Sequence, residues 1–264
     1  MALFKDQMGR SVVLNNWPPT KIISLVPSQT ELLFDLGAGS SIKGVTKFCI
    51  HPKAQLKGAM KVGGTKSVHF DRIDTIQPDL IIGNKEENEQ EMIYELARKY
   101  PVWMSDIFTL EDAYDMILQI GRLIDKESIA IKWITKIQER FALISKHNHQ
   151  PRVAYFIWRN PYMVAANDTF INVMLQKAGF QNAFEDLSRY PSIELSQLNE
   201  RKVDFVFLSS EPYPFKNKHI EEFIRYLPDD KIQIVDGELF SWYGSRLYQS
   251  ASYFQQLASS LISK

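Results

Sequence analysis

The side chains best placed to do chemistry gather in the second half of the sequence, where Trp158, Arg159, Tyr162, Tyr213, Phe215, Phe240, Trp242, Tyr243 and Arg246 fall in stretches read as loops. Aromatic rings bury large areas at low conformational-entropy cost, so a set of them suits a broad, flat ligand. Single loop aromatics more often plug local packing, but so many on one side of a fold favour a contact surface. Arg159 follows Trp158 and Arg246 lies close after Tyr243, where guanidinium groups can meet acidic or amide groups of a ligand. Either arginine could instead tether a loop to a helix end.

Catalytic chemistry is not legible in the chain. Asp236-Gly237-Glu238 reads as a turn whose carboxylates cap nearby amides. The histidines, His51, His69, His147, His149 and His219, show no metal-ligand spacing. His147 and His149 are expected at the carboxyl end of a long helix, where positive charge suits the dipole. Gly37-Ala38-Gly39 ends a helix rather than opening one, so it lacks the amides a phosphate needs. There is no G-x-S-x-G elbow. These readings favour a binding protein over an enzyme, with no metal and no required cofactor.

The chain has 264 residues, with 31 basic against 31 acidic side chains, which argues against nucleic acid as the main partner. Its single cysteine, Cys49, rules out an intramolecular disulfide and a thiolate cluster. No run approaches the roughly 18 apolar residues of a membrane span. Met1 to Arg10 lacks a basic region followed by an apolar run, so no signal peptide is expected there and a cytoplasmic location stays open.

Alternating elements must position these residues. Lys21–Val26 is a short apolar strand ended by Pro27, and Ser28 with Glu31 reads as a capping box for a helix closed by Gly37. Further strands are expected at 43–46, 79–82 and 102–104, with helices at 71–76 and 89–100. A proline-free region from Leu110 to Lys146 with helical apolar spacing predicts one long helix, with a possible bend at 125–127. The pattern then returns: strands at 152–157, 204–208 and 231–235, helices at 168–178, 218–226 and 248–262. Strands alternating with helices imply parallel sheets covered on both faces. The expected fold is α/β: two Rossmann-like lobes with parallel sheets joined by a single long helix. The boundaries are 1–108 for the first lobe, 109–150 for the helix and 151–264 for the second. Ligands of such sheets sit at the carboxyl ends of strands. That directs attention to Pro27–Ser28, Lys47–Pro52 and Asn84–Glu87, and to the second-half loops at 158–162, 209–215 and 237–246.

The opening segment from Lys21 to Gly39 (KIISLVPSQTELLFDLGAG), with V-G-G-T from Val62 and I-Q-P-D-L-I-I from Ile76, resembles the class III periplasmic binding proteins of ABC importers. The segments 156–161, 210–215 and 235–246 look most like the cobalamin-binding branch of that helical-backbone metal-receptor type. The resemblance implies a monomer at the periplasmic or cell surface that delivers a small-molecule ligand to an importer permease. The ligand it implies is a cobalt corrinoid gripped in the interlobe cleft, with Trp242 facing the ring. Asn84 stands where a well-known member carries a second tryptophan. On this reading Trp158, Trp242, Tyr243 and Tyr213 supply ring contacts, while Lys47, Phe48, Arg159 and Arg246 complete the ligand site. Acidic residues that would dock the permease are Glu89 or Glu91 in the first lobe and Glu221 or Glu222 in the second. Two alternatives accompany it. One is a haem or ferric-siderophore binder of the same fold, with Tyr162, Tyr213 or Tyr243 as axial candidates. The other is a cytosolic corrinoid- or tetrapyrrole-handling protein or enzyme.

Overall fold

The computed structural model describes residues 1–145 and 149–262, so the expectation for His147 lies outside the described residues. The chain forms two compact units. The first comprises Met1–Ile107, Glu111–Lys136 and Tyr243–Arg246; the second comprises Phe108–Leu110, Ile137–Trp242 and Leu247–Lys264.

In the first unit β3 (Ile22–Ser24), β4 (Ile42–Val45), β5 (Met60–Lys61), β6 (Leu80–Asn84) and β7 (Val102–Ser105) form one parallel sheet in the order β5-β4-β3-β6-β7. The central strands β3 and β6 are short, rich in isoleucine and fully buried, as two-sided cover requires, whereas the edge strand β5 is exposed. Helices α1 (Pro27–Asp35), α2 (Phe70–Ile76) and α3 (Gln90–Ala97) connect them. Ile23, Ile81 and Val102 of the strands pack with Ile73, Met92, Ile93 and Leu96 of the helices. Gly37, at φ +84°, ends α1 in the left-handed conformation expected.

The start of α1 differs from the capping-box expectation. Val26 is the N-cap, Pro27 opens the first turn with its pre-set φ, and no side chain caps the helix. Ser28 lies within the first turn and Glu31 binds Arg246 instead of the helix start. A hairpin that periodicity did not announce, β1 (Ala2–Lys5) with β2 (Ser11–Leu14), precedes the sheet. Its turn is built by Asp6, whose Oδ1 accepts from the amides of Met8 and Arg10 at 3.0 and 2.8 Å. The hairpin is tied to the outer strand β7 by Gln7 N–H to Met104 O and by the Trp103 indole to Lys5 O, each 3.1 Å.

The expected single long helix is two: α4 (Leu110–Leu123) and α5 (Glu127–Ala142). Asp125 breaks it at φ +56°, and Lys126 N–H bonds back to Gly121 O at 2.7 Å. A β-carbon on Gly121 would lie 2.4 Å from that of Ala130, so glycine is what lets the two helices close on the break.

The second unit repeats the first sheet's winding. Its parallel strands β8 (Arg152–Trp158), β10 (Gln181–Asn182), β11 (Phe205–Ser209) and β12 (Ile232–Val235) run in the order β10-β8-β11-β12, with β9 (Met163–Val164) antiparallel to β8. Helices α6 (Phe170–Lys177), α7 (Gln197–Glu200), α8 (Gly237–Ser241) and α9 (Leu247–Ile262) complete it. Thr169 caps α6 by accepting from Asn172 N–H. The helix expected at 218–226 is replaced by a 3₁₀ turn at Asn217–Glu222, after which the chain runs in turns to Pro228. Phe156, Val206, Leu208 and Phe223 lie in its core. Both units therefore place a first strand centrally, the second on one side, and the last two on the other. Among the described residues no helix is long and apolar enough to cross a membrane.

Candidate ligand-binding site

At the carboxyl edge of the second sheet one large apolar side chain stands open. Trp158, the last residue of β8, is 41% exposed. Its ring meets the edge of Tyr213 at 5.8 Å between centroids and 70° between planes. Tyr213 is held in turn by Phe215 at 4.7 Å and by its own amide bonding to Ile157 O at 3.3 Å. Trp158 is thus an exposed indole on a fixed support.

The other second-half aromatics are not open in this way. Phe240 in α8 is fully buried against Tyr155 and Phe254. Phe215 is buried, and Tyr162 packs between Phe156 and Phe223. These three are packing plugs, which corrects the reading of the whole set as loop contacts. Trp242 and Tyr243 are also buried. The Trp242 indole N–H donates to Glu211 Oε1 at 2.9 Å, and Ser241 Oγ donates to the same oxygen at 2.6 Å. Asp236 caps α8 by accepting from Glu238 N–H, as the turn reading of that motif anticipates.

Behind Trp158 lies a charged knot. Arg159 Nε donates to Glu222 at 2.9 and 3.1 Å, and the Tyr162 hydroxyl donates to the same carboxylate. Desolvation raises the Glu222 pKa, but the hydrogen bonds from Arg159 and Tyr162 outweigh it and leave the group below the usual carboxylate range. The same contacts hold Arg159 protonated, the bond to Glu222 foremost. Burial and then Glu222 push the Tyr162 phenol up to about 12. His219 is buried, its Nδ1 accepting from Lys216 N–H at 2.9 Å, and desolvation lowers its pKa.

In the first unit the carboxyl edge is exposed at Lys47, Phe48 and Ile50, with Phe48 half open to solvent and the Lys47 ammonium 5.0 Å from its ring centroid. Beneath this loop Cys49 is buried, its Sγ 3.1 and 3.2 Å from the hydroxyls of Thr30 and Thr46. Desolvation raises its pKa. Arg246 belongs to this unit, where Nε and Nη2 bind both carboxylate oxygens of Glu31. Its guanidinium is a structural clamp, the tether reading of that residue.

Sequence reasoning missed the polar frame of this edge. Asn84, seen only as the lack of an aromatic, donates to Ser105 Oγ at 2.9 Å and accepts from the amides of Glu86 and Glu87 at 2.9 and 3.0 Å. Asn88 Oδ1 accepts from Asn84 N–H at 2.9 Å, and its Nδ2 donates to Thr65 O at 2.9 Å. Gln29 Nε2 adds a bond to Ser105 Oγ at 2.5 Å. The signal available was the N-x-x-x-N spacing immediately after a buried strand, a loop-organising pattern.

Of the acidic candidates, Glu89, Glu91 and Glu221 are exposed, whereas Glu222 is half-buried in the knot with Arg159. Glu89 is the N-cap of α3 and Glu91 lies in its first turn, positions the helix dipole favours.

Residues 22–226 match the family described as periplasmic binding protein. The chain belongs to that family. A vitamin B12-binding protein of Vibrio campbellii is 27% identical over 199 residues, 74% of this chain and 72% of the relative. Among solved structures, a possible iron-binding (periplasmic solute-binding) protein from Staphylococcus epidermidis is 25% identical. It matches at a TM-score of 0.76 over 90% of this chain and 98% of that one. The periplasmic heme-binding protein RhuT from Roseiflexus matches at a TM-score of 0.79 with 18% identity, over 89% and 96%. The class III fold expected from the sequence is the fold of this family member, and its relatives are solute-binding proteins.

Proposed function

We propose that this protein binds a cobalamin-like corrinoid and delivers it to an ABC importer outside the cytoplasmic membrane. Trp158 carries the reading: an indole left 41% exposed at a strand's carboxyl end and braced by Tyr213 is a preordered face for a broad ring. In the first unit, taken by itself, the exposed Phe48 and Lys47 are further ligand-contact candidates, the lysine suited to polar groups of a ligand. The relatives named for vitamin B12 support the choice of ligand. Glu89, Glu91 and Glu221 offer exposed carboxylates for a permease, while Glu222 already neutralises Arg159.

Titration with cyanocobalamin, followed by quenching of tryptophan fluorescence, tests the reading. Saturation in the micromolar range or tighter is expected, and Trp158→Ala should weaken it about tenfold or more, near 1.4 kcal/mol. Absence of binding at about 100 μM, a limit of roughly 5 kcal/mol, defeats the corrinoid assignment. A Soret band in the purified protein would give the site to haem.

A further inference from the structure

The hairpin of β1 and β2 turns toward solvent a face that the ligand-binding reading does not use. Strict alternation separates its two sides: Val12 and Leu14 are buried, whereas Leu3, Lys5, Ser11 and Val13 are exposed, Leu3 by 68%. Leu3 pairs with Val13 and Lys5 with Ser11 directly across the strands, so these four share one face. Beside it runs a groove of about 400 Å³, lined by Arg10, Arg98 and Lys99 together with Val12, Val13 and Pro101. None of its lining residues is acidic, although basic and acidic side chains balance over the whole chain at 31 each. Arg10 and Lys99 are held by Asp6 and Asp74. Arg98, the C-cap of α3, is exposed, and among the described residues its guanidinium makes no hydrogen bond or ion pair; the same is true of the Lys5 ammonium. The groove lies at the amino edge of the first sheet, where α3 ends and β7 begins, away from Lys47 and Phe48 at the carboxyl edge.

We propose that this face docks on an anionic phospholipid surface, with Leu3 and Val13 entering the headgroup boundary and lipid phosphates meeting Lys5 and Arg98. Exposed aliphatic side chains next to free cations are what an interfacial surface needs, since apolar burial and attraction to anionic lipid add together. Two aliphatic side chains make too small a patch for a stable protein interface, which buries roughly 1,200 Å² or more. A bilayer instead presents anionic groups in excess, so a weak apolar hold and a few cations suffice. The docking is independent of which ligand the protein carries, and it leaves the carboxyl edge of the first sheet open.

Co-sedimentation of the full chain with vesicles of phosphatidylcholine, alone or with about one-third phosphatidylglycerol, tests the inference. Binding to the anionic vesicles and not to the neutral ones is expected at about 0.05 M salt, fading toward about 0.5 M as screening shortens the reach of the charges. Replacing both free cations, Lys5→Gln with Arg98→Gln, should weaken partitioning roughly 25-fold, about fivefold for each. Leu3→Ser leaves every charge in place and should weaken it several-fold. These positions are exposed, so thermal melting should stay unchanged. Equal binding to neutral vesicles, no binding to anionic ones, or binding that the variants leave untouched overturns the inference. So does displacement by inorganic phosphate beyond that of chloride at equal ionic strength, which would give the groove to a free anion.

Discussion

Arg246 and Glu31 meet through two parallel hydrogen bonds, Nε to Oε2 at 2.8 Å and Nη2 to Oε1 at 2.7 Å, with side chains only 9% and 14% exposed. They lie 215 positions apart in the chain, yet both belong to the first unit. Asp35 shares this surrounding. Burial raises its pKa, a Ser245 hydrogen bond lowers it, and Glu31 and Arg246 act in opposite directions. Removing one partner of a buried pair strands the other, which costs about 3–5 kcal/mol. Arg246→Ala should therefore lower the urea midpoint sharply. Replacing both residues with apolar ones of similar size should cost far less, and a double-variant loss equal to the sum of the two single losses would show that the pair does not couple.

Glu222 gives the stability a pH dependence. Its folded-state pKa lies below the ordinary carboxylate value, so its contribution is present above about pH 4.5 and is lost as pH falls through the folded value. Wild type should lose stability on acidification below that point more steeply than Glu222→Gln. Thermal melts of the two proteins across the acid range check the difference in slope.

Cys49 is 1% exposed and its thiol pKa is raised by burial, so little thiolate is available to attack a reagent. A disulfide reagent such as DTNB should react with the native protein far more slowly than with the urea-unfolded chain. Comparable rates would place the thiol at an accessible surface and contradict the packing under the 46–49 loop.

The Trp158–Tyr213 edge contact is worth about 0.5–1.5 kcal/mol beyond its buried area. A double-mutant cycle on folding stability with Trp158→Ala and Tyr213→Ala should return a coupling energy in that range. Additive losses would mean that Tyr213 does not support the indole.

Much of the fold was legible because strands β3, β4, β6, β8, β11 and β12 are short apolar runs bounded by polar or proline residues, and because Gly37 and Gly179 mark helix ends at positive φ. Local competition defeated the finer readings. Pro27 claims the first turn of α1 and displaces the Ser28 capping box. Asp125 takes a left-handed conformation that splits one apolar periodicity into two helices. The hairpin of β1 and β2 alternates too briefly to stand out, and it is secured to β7 by one backbone bond and one indole bond that no pattern encodes. The candidate site was harder still. Aromatic type does not tell exposure: Trp158 stands open, while Phe240 and Trp242 are enclosed by neighbours distant in sequence. Asn84 reads as a missing ring until its amide is seen ordering a loop.

The placement of Tyr243–Arg246 within the first unit bears on how the protein is made. A ribosome delivers Glu31 early and Arg246 near the end, so for most of synthesis the growing chain holds that carboxylate without its guanidinium. Domains usually finish in the order in which they emerge. Here the first unit lacks Arg246 until the second has been translated, and a fragment ending after α5 should be less stable than the first unit in the whole chain, even though it contains every strand of its sheet.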